Sequence, residues 1–302
     1  MPAPTHRLDR FRRHLDTPYG PASCIDTGGP GRTIVFVHGL LTSSYLWRNV
    51  VERLEQRYRC VALDLPLHGQ TPGAAGQDYS LPGLARFVAD CCDSLQLGPI
   101  DLVANDSGGA IAQVFTARHP ERLRTLTLTN CEAHDNVPPP GLRAAHLLAR
   151  VEQATGVGVL ARLGPRMGKT PAARRRLYRF GYEDPAHLPD DIARAWVEPL
   201  FHRREAARQY VRMFASIRSA DLLAVEPALR QLTVPTLIVW GTGDRFFPRR
   251  WAYWLRNTIP GADTVVELDG ARLLFPDERA GELAEALGHH WEAHNGATPI
   301  PS

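Results

Sequence analysis

The chain has 302 residues, 44% of them apolar and 22% charged, with a formal net charge of +3. That balance suits one large domain plus a smaller one and excludes a disordered or fibrous chain. No apolar run approaches the roughly 18–20 residues that span a bilayer, and residues 1–13 are rich in Arg and His with no apolar stretch behind them, so a cytoplasmic protein with no membrane partner is expected.

Short apolar or β-branched runs at 33–37, 60–63, 101–104 and 123–129 alternate with segments of helical periodicity at 47–57, 81–95 and 109–118. Such alternation predicts a parallel sheet covered by helices on both faces. From Ala133 to Leu232 the pattern is helical, broken by Pro and Gly, with no comparable strand. Strand character returns at 236–240 and 264–268, followed by a last helix from about Asp277 to Ala293. The chain therefore divides into the first part of an α/β core (1–132), a helical cap (133–232) and the second part of the core (233–302). Ligands of open α/β sheets sit outside the carboxyl ends of the strands, so an insertion leaving from those ends roofs the site.

Residues 142–179 hold nine Arg or Lys against one acid, Glu152, a local net of +8, and Lys169 is the only lysine. Arginine forks suit carboxylates and phosphates. The plain reading is a solvated basic face; the functional one is a small-molecule substrate that is anionic or carried by an acidic protein. Nucleic acid is not expected, because no reading module accompanies the charge. The five cysteines include the adjacent pair Cys91 and Cys92 and show no metal-ligand spacing, which predicts reduced core residues and no metal. No cofactor is expected either. Gly156-Val157-Gly158 and Gly164 to Thr170 resemble a dinucleotide loop and a phosphate loop, but neither follows a strand.

The run 101–104 leads into Asn105-Asp106-Ser107-Gly108-Gly109 and then a helix. A strand that turns sharply into a helix between small residues holds one side chain exposed and aims the first helical N–H groups at it. Ala104 and Gly108 as the small flanks put Asp106 at the tip; the rival frame makes Ser107 the nucleophile but needs Asn105 as the small residue. A plain turn with an N-capping Asp is the third reading. His38-Gly39-Leu40 follows the strand at 33–37, and the N–H of Leu40 with that of Ser107 would form an oxyanion hole.

With these residues in place the chain resembles the α/β-hydrolase fold, and within it the haloalkane dehalogenase and epoxide hydrolase branch, whose members carry Asp at the elbow. The likeness runs from Thr33 to about Ala293. It rests on His38-Gly39, Asp64-Leu65-Pro66-Leu67-His68-Gly69-Gln70-Thr71, the Asp106 elbow, the inserted cap and Gly241-Thr242-Gly243-Asp244. The resemblance implies an acid that orients a histidine, and Asp244 or Glu132 matches that acid. It also implies a histidine in the loop after the last strand, where this chain reads Asp269-Gly270-Ala271-Arg272-Leu273. Leu273 stands at the histidine's position and cannot accept a proton. Among the twelve histidines, His134 is the candidate replacement; His38 fits a turn-supporting role, and His68 occupies a loop position where the family often has Gly. Dehalogenases place Trp after the nucleophile for the halide, whereas this chain has Ser107. Epoxide hydrolases use cap tyrosines, and the cap has Tyr178, Tyr182 and Tyr210.

Three functions remain open at this level. Asp106 attacks an electrophilic carbon and water releases the ester. Alternatively it serves as general base in a non-hydrolytic lyase, isomerase or cyclase. In the third, the chain is an inactive ligand-binding homologue.

Overall fold

Strands that read as unbroken apolar runs are the ones a sheet can bury on both faces. In the computed structural model, which describes residues 6–74 and 76–294, they form the middle of one eight-stranded sheet. Its strands are β1 (Arg12–Thr17), β2 (Gly20–Asp26), β3 (Thr33–Val37), β4 (Arg59–Asp64), β5 (Ile100–Asp106), β6 (Leu123–Cys131), β7 (Thr236–Gly241) and β8 (Ala262–Leu268). The order is β1-β2-β4-β3-β5-β6-β7-β8. From β4 to β8 all neighbours are parallel, while β2 runs antiparallel to both β1 and β4. Phe36, Val61, Val103, Leu126 and Ile238 are fully buried.

The helices of the core are α1 (Arg48–Leu54), α2 (Leu81–Ser94) and α3 (Ser107–Arg118). Between β6 and β7 come α4 (Arg143–Thr155), α5 (Val159–Met167), α6 (Pro171–Tyr178), α7 (Asp190–Phe201), α8 (Arg204–Ser216) and α9 (Ser219–Leu229). The chain ends with α10 (Arg250–Thr258), α11 (Phe275–Glu278) and α12 (Ala280–Ala293). Helices α1 and α12 pack together, as do α2, α3 and α9, so the sheet carries helices on both faces. All five cysteines are buried and free. Among the described residues no helix is long and apolar enough to cross a membrane.

Three points differ from the sequence expectations. Strands β1 and β2 carry no apolar signature and went unpredicted. Arg12 in β1 is buried through an ion pair to Asp64 (2.6 Å), fifty-two residues away. The helix predicted at 47–57 is shorter: a 3₁₀ turn (Ser44–Trp47) takes Trp47, and the helix ends at Leu54. The terminal helix is broken at Arg279. Helix α9, the last of the inserted stretch, packs on α3.

The strand order reverses at β3, since β4 lies on one side of it and β5 on the other. The crevice at the carboxyl ends of β3 and β5 is where such sheets bind ligands. His38-Gly39-Leu40 follows β3 and Asp106 ends β5, so both arrive at that crevice.

Candidate active site

Asp106 has φ 55° and ψ −136° and immediately precedes α3. A non-glycine residue in this region is strained and held only by its surroundings. Those surroundings are identifiable. A Cβ on Gly108 would run into the carbonyl oxygens of Val37 and His38, and one on Gly109 into the Cys131 side chain, so the helix start lies against β3 and β6 only because both residues are glycines. The backbone N–H groups of Ser107 and Leu40 lie beside the Asp106 carboxylate and favour its charged form, against the effect of burial. The groups expected to form the oxyanion hole thus face the carboxylate of the elbow residue. Gly39 lies directly beneath, where a Cβ would overlap the Asp106 carboxylate. Gly39→Ala is therefore expected to displace that group and lower Asp106 reactivity by about a hundredfold, with the circular dichroism spectrum unchanged. Reactivity equal to wild type would show that the carboxylate's placement does not matter.

Two further carboxylates gather behind the elbow. Ser107 Oγ donates to Glu132 Oε1 (2.9 Å), while Glu132 Oε2 is buried with no hydrogen-bond partner among the described residues. Asn130 Nδ2 donates to Asp244 Oδ2 (2.7 Å), and the N–H of Phe246 donates to Asp244 Oδ1 (2.7 Å). Burial pushes all three acids up: Asp106 well above the usual carboxylate range, with Glu132 adding to the effect, Glu132 to about 7 and Asp244 to about 6. Loss of solvation disfavours the charged form of a carboxylate, which is the common cause of these shifts. Sequence reasoning missed Asn130. Its φ of 21° and its pairing with Gly241 (N–H to Oδ1, 2.6 Å) arise only when β6 and β7 are adjacent.

The loop of Leu273 does reach the site, because Asn105 Nδ2 donates to the Leu273 carbonyl (3.1 Å). Its side chain is 9% exposed and apolar. The three histidines singled out in the sequence each have partners of their own. His134 Nδ1 pairs with Glu226 Oε2 at 2.7 Å, and its ring lies against Trp251 and Trp254, which places it elsewhere than expected. His38 Nε2 accepts the N–H of Leu65 (3.0 Å) and its Nδ1 lies 2.7 Å from the Gly39 carbonyl. His68 Nε2 accepts the N–H of Leu41 (3.3 Å) and its Nδ1 lies 3.0 Å from the Pro66 carbonyl. Burial lowers His38 to about 4 and His68 to about 3, so both stay neutral supports of the two loops.

The three tyrosines separate as well. Tyr182 donates to Asp277 Oδ2 (2.6 Å), which also pairs with Arg48 at 2.8 Å; it ties the inserted segment to the core and leaves the site. Tyr178 donates to the carbonyl of Leu41. Burial on α8 raises the hydroxyl of Tyr210, with a further contribution from Asp106; its ring stands edge-on to His68 at 6.0 Å.

Residues 32–279 match the family described as alpha/beta hydrolase fold. A 2-hydroxy-6-oxononadienedioate/2-hydroxy-6-oxononatrienedioate hydrolase of Cupriavidus pinatubonensis is 26% identical over 250 residues, 79% of this chain and 80% of that one. A haloalkane dehalogenase of Agrobacterium fabrum is 36% identical over 124 residues, 39% of this chain and 40% of that one. Among solved structures, that of an ancestral haloalkane dehalogenase superposes with a TM-score of 0.78 at 20% identity, covering 94% of this chain and 100% of that one. At that identity the likeness is one of fold.

Proposed function

This chain belongs to the α/β-hydrolase fold family, and from that premise we propose that it is a hydrolase that opens small electrophilic molecules through the carboxylate of Asp106, epoxides in preference to haloalkanes. The observation that carries this reading is Asp106 in the left-handed region at the end of β5, its carboxylate directly over Gly39 and beside the N–H groups of Leu40 and Ser107. Attack by one oxygen forms an ester whose carbonyl oxygen stays on those donors, where charge develops when water adds. The oxygen released by an opening epoxide needs a proton, and Tyr210 supplies it. A leaving halide needs donors instead, and the residue after Asp106 is Ser107, whose hydroxyl is directed to Glu132.

Glu132 takes the role that an imidazole holds elsewhere. At about 7 its carboxyl sits in the range suited to general-base work at neutral pH. Water adds to the ester carbonyl and its proton passes to Glu132. Glu132 returns that proton to the departing alkoxide, and the proton left on Asp106 restores Tyr210. Asp244, fixed by Asn130, completes the acid cluster.

The general-base reading draws support from Leu273, since without an imidazole a proton-transfer reaction needs no ester hydrolysis. Intact-mass measurement separates the readings. Incubation with small epoxides and haloalkanes, followed by peptide mapping, is expected to show diol release from the epoxides and a transient increment on Asp106. Proton-transfer turnover with no increment under any condition would favour the general base. Binding with neither turnover nor increment would leave an inactive homologue.

A further inference from the structure

Eight large apolar side chains stand exposed among the described residues, and six of them occupy one stretch: Leu147, Leu148 and Val151 on α4, Val157 in the link, and Val159 and Leu163 on α5, each 38–62% exposed. A cluster of this kind marks a contact surface. On both helices the apolar residues alternate with exposed arginines, Arg143 and Arg150 on α4 and Arg162 and Arg166 on α5. The one acid of these two helices, Glu152, is buried and accepts the N–H groups of Leu160 (2.7 Å) and Ala161 (3.1 Å). The outer face is therefore aliphatic and positive with no compensating carboxylate. Beside it opens a cavity of about 450 Å³ lined by Arg143, His146, Leu147, Arg150 and Arg218, with Asp135 as its one acid.

The occupant has to be anionic and apolar at once. A second copy meeting this face with its own would bring two arginine sets together, which repel. An acidic protein would satisfy the charge, but aromatic anchors, the usual centres of protein interfaces, are missing from the exposed set on these helices. Interleaved arginine and aliphatic side chains are the pattern of helices that lie in a bilayer surface. We propose that the α4–α5 face seats on a membrane carrying anionic lipids, the aliphatic side chains entering the acyl boundary and the arginines and adjacent cavity taking headgroups. Surface seating needs no spanning helix, so the expectation of no membrane partner, read from the lack of a long apolar run, does not bear on it. Both helices pack on α8, the helix that carries Tyr210.

Co-sedimentation of the full chain with vesicles tests this. Vesicles of equal parts phosphatidylglycerol and phosphatidylcholine are expected to bind it at least about tenfold more tightly than pure phosphatidylcholine, with the difference shrinking as salt rises. The double variant Arg143→Gln/Arg150→Gln should lose about fivefold per arginine. The triple variant Leu147→Ser/Val151→Ser/Leu163→Ser should lose most of the remaining binding. All five positions are exposed, and circular dichroism checks that the fold is kept. No binding to either vesicle, equal binding to both, or variants that bind like wild type would overturn the proposal. So would a concentration-dependent dimer that the triple variant abolishes, which would assign the face to a second copy. The face lies outside the Asp106 cluster, so failure here leaves the Asp106 chemistry unaffected.

Discussion

Asp106→Asn is expected to remove turnover by several orders of magnitude while the chain still folds, because the amide keeps the shape of the carboxylate but neither attacks carbon nor takes a proton. The wild-type rate should rise with pH through the neutral range. Burial and Glu132 both disfavour the charged form of Asp106, so the share of attacking anion grows as pH rises. Ser107→Ala should not abolish turnover. It removes the hydroxyl that donates to Glu132 and so raises that acid further, moving the rising limb of the pH profile to higher pH. A dead Ser107→Ala beside an active Asp106→Asn would make Ser107 the nucleophile.

Glu132→Gln separates the two halves of the reaction. Attack by Asp106 should continue, while release of the ester slows by about a hundredfold to ten-thousandfold, the usual worth of a general base. A stable mass increment on Asp106 would accumulate with epoxides, and its absence alongside wild-type turnover would remove Glu132 from the mechanism. The same variant carries a signature in stability. Glu132 is raised from 4.5 to about 7 in the folded chain, chiefly by burial. Its contribution to stability is thus full below about pH 4.5 and lost as pH rises through about 7. Gln has no such titration. The variant should therefore unfold at a higher temperature than wild type at pH 8, and that advantage should fade toward pH 4.5.

Much of this site can be read along the chain, for local reasons. Asp106 between Ala104 and Gly108 marks a strained turn because small flanks are a local requirement of that geometry. The apolar runs of β3 to β8 and the helical stretch between β6 and β7 are likewise patterns of neighbouring residues. Leu273 in place of a base is a matter of identity at one position.

What the other residues do depends on partners far along the chain. His134, Glu132 and Asn130 lie within five residues of one another, yet His134 goes to Glu226, Glu132 to Ser107 and Asn130 to Asp244. Three tyrosines of one segment divide among Asp277, the Leu41 carbonyl and the field of Asp106. Strand β1, charged and unpredicted, pairs with β2 and carries Arg12 to its ion pair with Asp64. By itself the sequence determined the fold class, and it is also what points to Asp106 as the elbow residue and to Leu273 at the position of an imidazole, since each reading rests on spacing or residue type within a few positions. Only the tertiary structure decided which carboxylates share the elbow and which histidines and tyrosines leave it, because hydrogen bonds and desolvation act across space between segments that no local pattern connects.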